Sequence, residues 1–168
     1  MKKLLFVLTL AAFSFQACVA GNGQASPDPG QTTTVSQNTN EKGGTILITK
    51  DQFLKEVWNY NESPNEWKFL GKEPAIIDFY ADWCGPCRTA SPILEEISHE
   101  FAGKVKIYKI DTQKERELAG VFGIQSIPAF LYIPADGKPV MTSGIARTKE
   151  ETKAMFIENI NKFLLSKK

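Results

Sequence analysis

The chain predicts an α/β domain in which a parallel or mixed β-sheet is covered by helices on both faces. Three observations carry that reading. Short apolar runs alternate with segments of helical periodicity between residues 45 and 165. The run at residues 75–80 is apolar at every position except Asp78, the pattern of a strand buried on both sides. The last two strand-like runs, 129–133 and 140–143, are joined through Asp136-Gly137, a hairpin signal. With 168 residues, 42% hydrophobic and 23% charged, the chain is long enough for one packed domain plus tails.

The first twenty residues stand apart. Lys2-Lys3, an apolar run from Leu4 to Phe15 broken only by Thr9 and Ser14, and small residues after it predict a secretory signal peptide over residues 1–20. The run is too short to span a bilayer. Cys18-Val19-Ala20 before Gly21 offers a cleavage site after Ala20, giving a soluble mature protein. Phe15-Gln16-Ala17-Cys18 also resembles a poor lipoprotein signal, in which Cys18 would carry a lipid anchor. Either route places the domain in the periplasm or otherwise outside the cytoplasm. Residues 21–44, rich in Gly, Gln, Thr, Asn, Pro and Ser, cannot bury enough surface to offset their ordering entropy and read as a flexible linker.

The domain proper, 45–168, opens with a short strand at 46–48 and a helix announced by a capping box, Thr49 with Gln52. Phe53, Leu54, Val57 and Trp58 mark its buried side. Residues 59–73 follow without strong periodicity. Trp58, Trp67 and Phe69 lie in or beside this stretch, and the sequence leaves open whether they pack it onto the domain or present a partner surface. A strand at 75–80 leads into a helix at 84–101, with Ile93, Leu94, Ile97 and Phe101 at helical spacing and Gly103 as its stop. Next come a strand at 105–110, a short helix marked by Leu118, Val121 and Phe122, and the hairpin. A second capping box, Thr148 with Glu151, opens a last helix with Phe156, Ile160, Phe163 and Leu164 inward.

If the leader is removed, two cysteines remain, Cys84 and Cys87, both in one motif. An exported scaffold held by disulfides would use more, spread along the chain, so this pair is for chemistry. The pair sits where a helix begins, and unpaired N–H groups and the helix dipole there favour the anion of Cys84. Cys84 is expected to stay exposed as the attacking thiol and Cys87, one turn in, to be shielded. Gly85 permits the tight turn, and Pro86 loses nothing in a first helical turn. Asp78 within its apolar run should have a raised pKa, fit to move a proton to or from Cys87, unless it sits at a solvated strand end. The net charge of +1 becomes −1 without Lys2 and Lys3, at 18 basic against 19 acidic residues, and there is no basic block for nucleic acid. A pair of cysteines can also be half of a zinc site; the single histidine, His99, lies in a polar run and reads as a solvent-facing helix residue.

Trp83-Cys84-Gly85-Pro86-Cys87 is identical to the active-site motif of the thioredoxins, and other landmarks fall at that family's spacing. Asp78 matches the buried acid, Pro92 the proline in the active-site helix, Ile127-Pro128 the cis-proline pair, and Lys109 and Gly144 two further characteristic positions. The resemblance covers roughly residues 45 to 165, with residues 59–73 adding about ten to a minimal member. It implies the thioredoxin fold, a central mixed sheet flanked by helices on both faces. It implies a protein-disulfide oxidoreductase in which Cys84 attacks, Cys87 resolves and the two form a redox-active disulfide. It gives Asp78 the general acid/base role and brings Lys109 toward Asp78, where the bland alternative is a surface lysine. Trp83, with Tyr80, would pack around the site beside Gly85 and Pro86, and Ile127 with Pro128 would bind an extended substrate. No metal or other cofactor is implied.

Gly-Pro between the cysteines resembles the reducing members. The expected function is therefore reduction of disulfide-containing protein substrates outside the cytoplasm by a monomer recharged by a membrane electron-donor protein. The alternatives are a disulfide oxidase or isomerase of the same fold, or a module that holds a soft metal ion through both thiolates.

Overall fold

The computed structural model describes residues 43–166; the predicted signal peptide, Cys18 and the linker up to residue 42 lie outside the described residues. The two capping boxes form as the sequence spells them. The Thr49 side chain accepts from the Gln52 N–H while the Gln52 side chain accepts from the Thr49 N–H, starting α1 (Lys50–Glu56) after the two-residue β1 (Ile46–Leu47). Thr148 and Glu151 do the same for α4 (Lys149–Asn159). Between them run β2 (Ala75–Tyr80), α2 (Gly85–Glu100), β3 (Lys106–Asp111), α3 (Arg116–Val121), β4 (Ala129–Ile133) and β5 (Val140–Ser143). The sheet order is β1-β3-β2-β4-β5. β1, β3 and β2 run parallel, β4 pairs antiparallel with β2, and β5 pairs antiparallel with β4 at the edge, so the sheet is mixed.

Alternation along the strands divides the core into two layers. Ile77, Phe79, Tyr108, Ile110 and Leu131 pack with Phe53 from α1, Val57 just after it and Leu118 from α3. Ile76, Ile107, Phe130 and Tyr132 face the other way, onto Ala90, Ile93, Leu94 and Ile97 of α2 and Phe156 of α4. Side chains two apart share a face. Asp78 therefore lies on the face of Ile76 and Lys109 on that of Ile107, both beneath α2, and register sets Asp78 opposite Lys109 on one side and Phe130 on the other.

Residues 59–73 are fastened to the first layer. Trp58 lies 5.0 Å from the Trp67 ring, both approach Phe122, and Phe122 meets Phe79 of the sheet at 5.5 Å. The Trp58 indole N–H donates to the Glu66 carbonyl at 3.0 Å. Of the two readings of these aromatics, packing onto the domain is what the structure shows. The last helix departs from the expected pattern: after Asn159 it widens into a π-helical turn, Ile160–Leu165. Ile160 and Leu164 are buried there, while Phe163 is only partly buried and meets Tyr132 at 5.5 Å.

Candidate functional site

β2 and β3 end side by side, with Tyr80 opposite Asp111, and the chain leaves β2 through Ala81, Asp82 and Trp83. Cys84 caps α2 with extended backbone (φ −75°, ψ 110°), and its Sγ accepts the Cys87 N–H at 3.2 Å. A sulfur so placed takes one of the helix's otherwise unpaired donors, which favours the thiolate when the pair is reduced. Gly85 and Pro86 fill the first turn, where Pro86 removes no helical hydrogen bond. The Arg88 guanidinium donates to the Asp82 carbonyl at 3.0 Å, tying the approach loop to the helix it precedes.

Cys84 and Cys87 are joined as a disulfide, and here one expectation is corrected. Cys84 is not exposed: it retains 3% of its accessible surface, against 1% for Cys87. The capping geometry turns its sulfur inward, toward its own helix and its bonded partner, so asymmetric exposure does not distinguish the two sulfurs in the oxidised form. Trp83 is corrected as well. At 66% exposed it projects into solvent next to Cys84 instead of packing over it.

Asp78 is fully buried. Lys109 donates to its Oδ2 at 2.9 Å, while Oδ1 has no hydrogen-bond partner among the described residues. Burial pushes its pKa up, and the Lys109 cation only partly offsets that. The solvated strand end is therefore excluded. Lys109 is not a surface lysine either: its side chain keeps 14% of its exposure, and its ammonium also donates to Ser91 Oγ at 2.6 Å and lies 4.5 Å from the centre of the Tyr80 ring. Tyr80 thus reaches the site through Lys109.

The Ile127–Pro128 bond is cis, and Pro128 immediately precedes β4. Ala129 pairs with Phe79 near the end of β2, so the proline lies at the same end of the sheet as the cysteines. Gly144 closes that end. Its N–H donates to the Pro128 carbonyl at 2.9 Å with φ +78°, a conformation that disfavours side chains bearing Cβ. Pro92 sits inside α2, where the carbonyl of Arg88 loses its helical donor. His99 is exposed on α2 and pairs with Glu95 at 3.2 Å. Among the described residues no group of three His, Cys, Asp or Glu is gathered to hold a metal ion.

Sequence reasoning missed Ser91. The signal was its spacing: four residues after Cys87 on α2, it shares that cysteine's face of the helix.

A pair of thiols at a helix start, beneath which a buried carboxyl waits on the sheet, can exchange with a disulfide and move the accompanying proton. Comparison with known proteins agrees. The family model for thioredoxin matches residues 45–159. The chain is 46% identical over 99 residues to thioredoxin of Borreliella burgdorferi, covering 59% of this chain and 84% of the relative. It is 43% identical over 89 residues to thioredoxin of Bacillus subtilis, with 53% and 81% covered. For the chloroplastic M-type thioredoxin of Pisum sativum the identity is 40% over 88 residues, and the chain spans only about half of that relative's length. Among solved structures, chloroplastic thioredoxin z superposes with a TM-score of 0.56 at 25% identity, covering 71% of this chain and 94% of that one. The chain belongs to the thioredoxin family, and it is a thioredoxin-type disulfide oxidoreductase.

Proposed function

We propose that the protein works as a reductant of disulfides in other proteins, outside the cytoplasm. The observation that carries the direction of exchange is the first turn of α2. Cys84 Sγ receives one backbone N–H, and the two residues between the cysteines, Gly85 and Pro86, bring no cation to it. A modestly stabilised thiolate leaves the dithiol ready to give up its electrons; strong stabilisation would make the disulfide an oxidant. The location rests on the leader pattern in residues 1–20 and on the linker-like composition after it.

In this reading Cys84 thiolate attacks a substrate disulfide, forming a mixed disulfide and releasing one substrate thiolate, which takes a proton from solvent. Cys87 then gives its proton to Asp78 carboxylate and attacks Cys84 Sγ. That breaks the intermolecular bond, releases the second substrate thiolate and closes the Cys84–Cys87 disulfide. Two electrons pass to the substrate. Lys109 steadies the Asp78 carboxylate, and Trp83 with Ile127 and Pro128 lines the approach of an extended substrate chain. An oxidising compartment requires that electrons be delivered, so a membrane-bound dithiol donor recharges the pair, and the protein acts as a monomer.

The deciding experiment equilibrates the purified domain against graded thiol–disulfide buffers. A potential well below about −200 mV supports a reductant; one near about −120 mV makes the protein a disulfide donor and overturns the direction. Fractionation of cells expressing the full chain tests its location, and detergent partitioning of Cys18→Ala against the unaltered chain tests the lipid.

A further inference from the structure

We infer that Ser91 is a positioning residue of the redox site: its hydroxyl oxygen holds the Lys109 ammonium against Asp78 Oδ2 and so keeps Oδ1 open for proton exchange with Cys87. The inference rests on the acid/base reading of Asp78 given above.

Three placements carry it. Lys109 Nζ donates to Ser91 Oγ at 2.6 Å and to Asp78 Oδ2 at 2.9 Å, so the ammonium is shared between helix and sheet. Ser91 lies one helical turn beyond Cys87 on the same side of α2, above the sheet face that carries Asp78 and Lys109. Asp78 Oδ1, fully buried, has no hydrogen-bond partner among the described residues. A lysine on a flexible stem could straddle both oxygens of a lone carboxylate, or swing out to water. A second acceptor on the helix fixes it to one oxygen. The sheet face that carries Asp78 also carries Tyr80 at the end of β2, whose ring lies 4.5 Å from Nζ, and apolar Phe130 of β4, and buried Cys87 lies in the first turn of α2. Among the described residues, Ser91 and the Tyr80 ring are the groups besides Asp78 that engage Lys109.

Without the Ser91 hydroxyl, a partly buried ammonium loses an acceptor and gains by moving toward solvent. Asp78 then loses its nearest counter-charge. Its titration, already displaced upward by burial, moves up further.

The test compares the native domain with Ser91→Ala and Ser91→Thr. Alanine is the better helix former and removes only one oxygen, so the fold is retained. The direct readout is the Asp78 carboxyl carbon resonance followed against pH in the reduced protein. The expected result is an upward displacement of its midpoint in Ser91→Ala and restoration in Ser91→Thr. An unchanged or lowered midpoint in Ser91→Ala overturns the inference. The second readout is the pH profile of mixed-disulfide resolution, in which a misplaced general base should slow Ser91→Ala about threefold to tenfold at neutral pH. Asp78→Asn is run beside it: if that variant resolves at the native rate while Ser91→Ala still displaces the Asp78 midpoint, the acid/base reading fails and the positioning of Lys109 stands.

Discussion

Asp78→Asn isolates the proton step. The substitution keeps the shape and an oxygen for the Lys109 ammonium, now 2.9 Å from Oδ2, but removes the base. General acid/base groups contribute about 10²- to 10⁴-fold. Cys87 retains 1% of its surface, so bulk water reaches its thiol poorly. A thiol is nevertheless acidic enough to ionise without help on a slower timescale, which places the loss at the lower end, about a hundredfold, or about 2.7 kcal/mol on the barrier. The loss should fall on resolution alone. Attack by Cys84 draws on the Cys87 N–H, 3.2 Å from its sulfur, and not on Asp78. Rapid mixing of the reduced protein with a disulfide peptide separates the steps, because Trp83 fluorescence reports formation and decay of the mixed disulfide and acid quenching allows the intermediate to be weighed. Resolution within about threefold of the native rate across neutral pH, or an equal loss in the attack step, would refute the assignment of Asp78 as the base for Cys87.

Cys87→Ser should accumulate a mixed disulfide through Cys84, identified by mass spectrometry, and Cys84→Ser should accumulate none through Cys87 if the roles are as assigned. Stability should carry the mark of Asp78. Its folded pKa lies above its ordinary value of 3.8, so over that interval the folded state holds the proton that the unfolded chain has lost. The Asp78 contribution therefore falls as pH rises from its ordinary value through its folded midpoint, and levels off above. Glu95, lowered by the hydroxyl and amide of Thr45, contributes the opposite slope; subtracting urea midpoints of Asp78→Asn from those of the native chain at each pH isolates the Asp78 term. Trp67→Ala, which removes a ring between Trp58 and Phe122, should cost about 2–3 kcal/mol in urea unfolding, less than a fully buried tryptophan, and leave resolution kinetics unchanged.

Sequence alone determined the elements and the reacting pair. Capping boxes at Thr49 and Thr148, the apolar run at β2 and the proline-glycine punctuation act over three or four residues, so they are legible without a fold. The cysteine spacing at a helix start is local too, and the match of motif spacings pointed to Lys109, which meets Asp78, and to Pro128, which follows a cis bond. What depends on distant chain meeting distant chain was settled only by tertiary structure. Lys109 and Ser91 converge on Asp78 because parallel register, strand parity and the pitch of α2 bring three separate elements to one point. Local pattern could not say which way a capping cysteine turns, so Cys84 proved buried where exposure was expected. Nor could it say whether the aromatics of residues 59–73 had a place to go. Phe122, which follows α3, and Phe79 from the sheet provide it, and burial against them is a property of the assembled core rather than of any one stretch of chain.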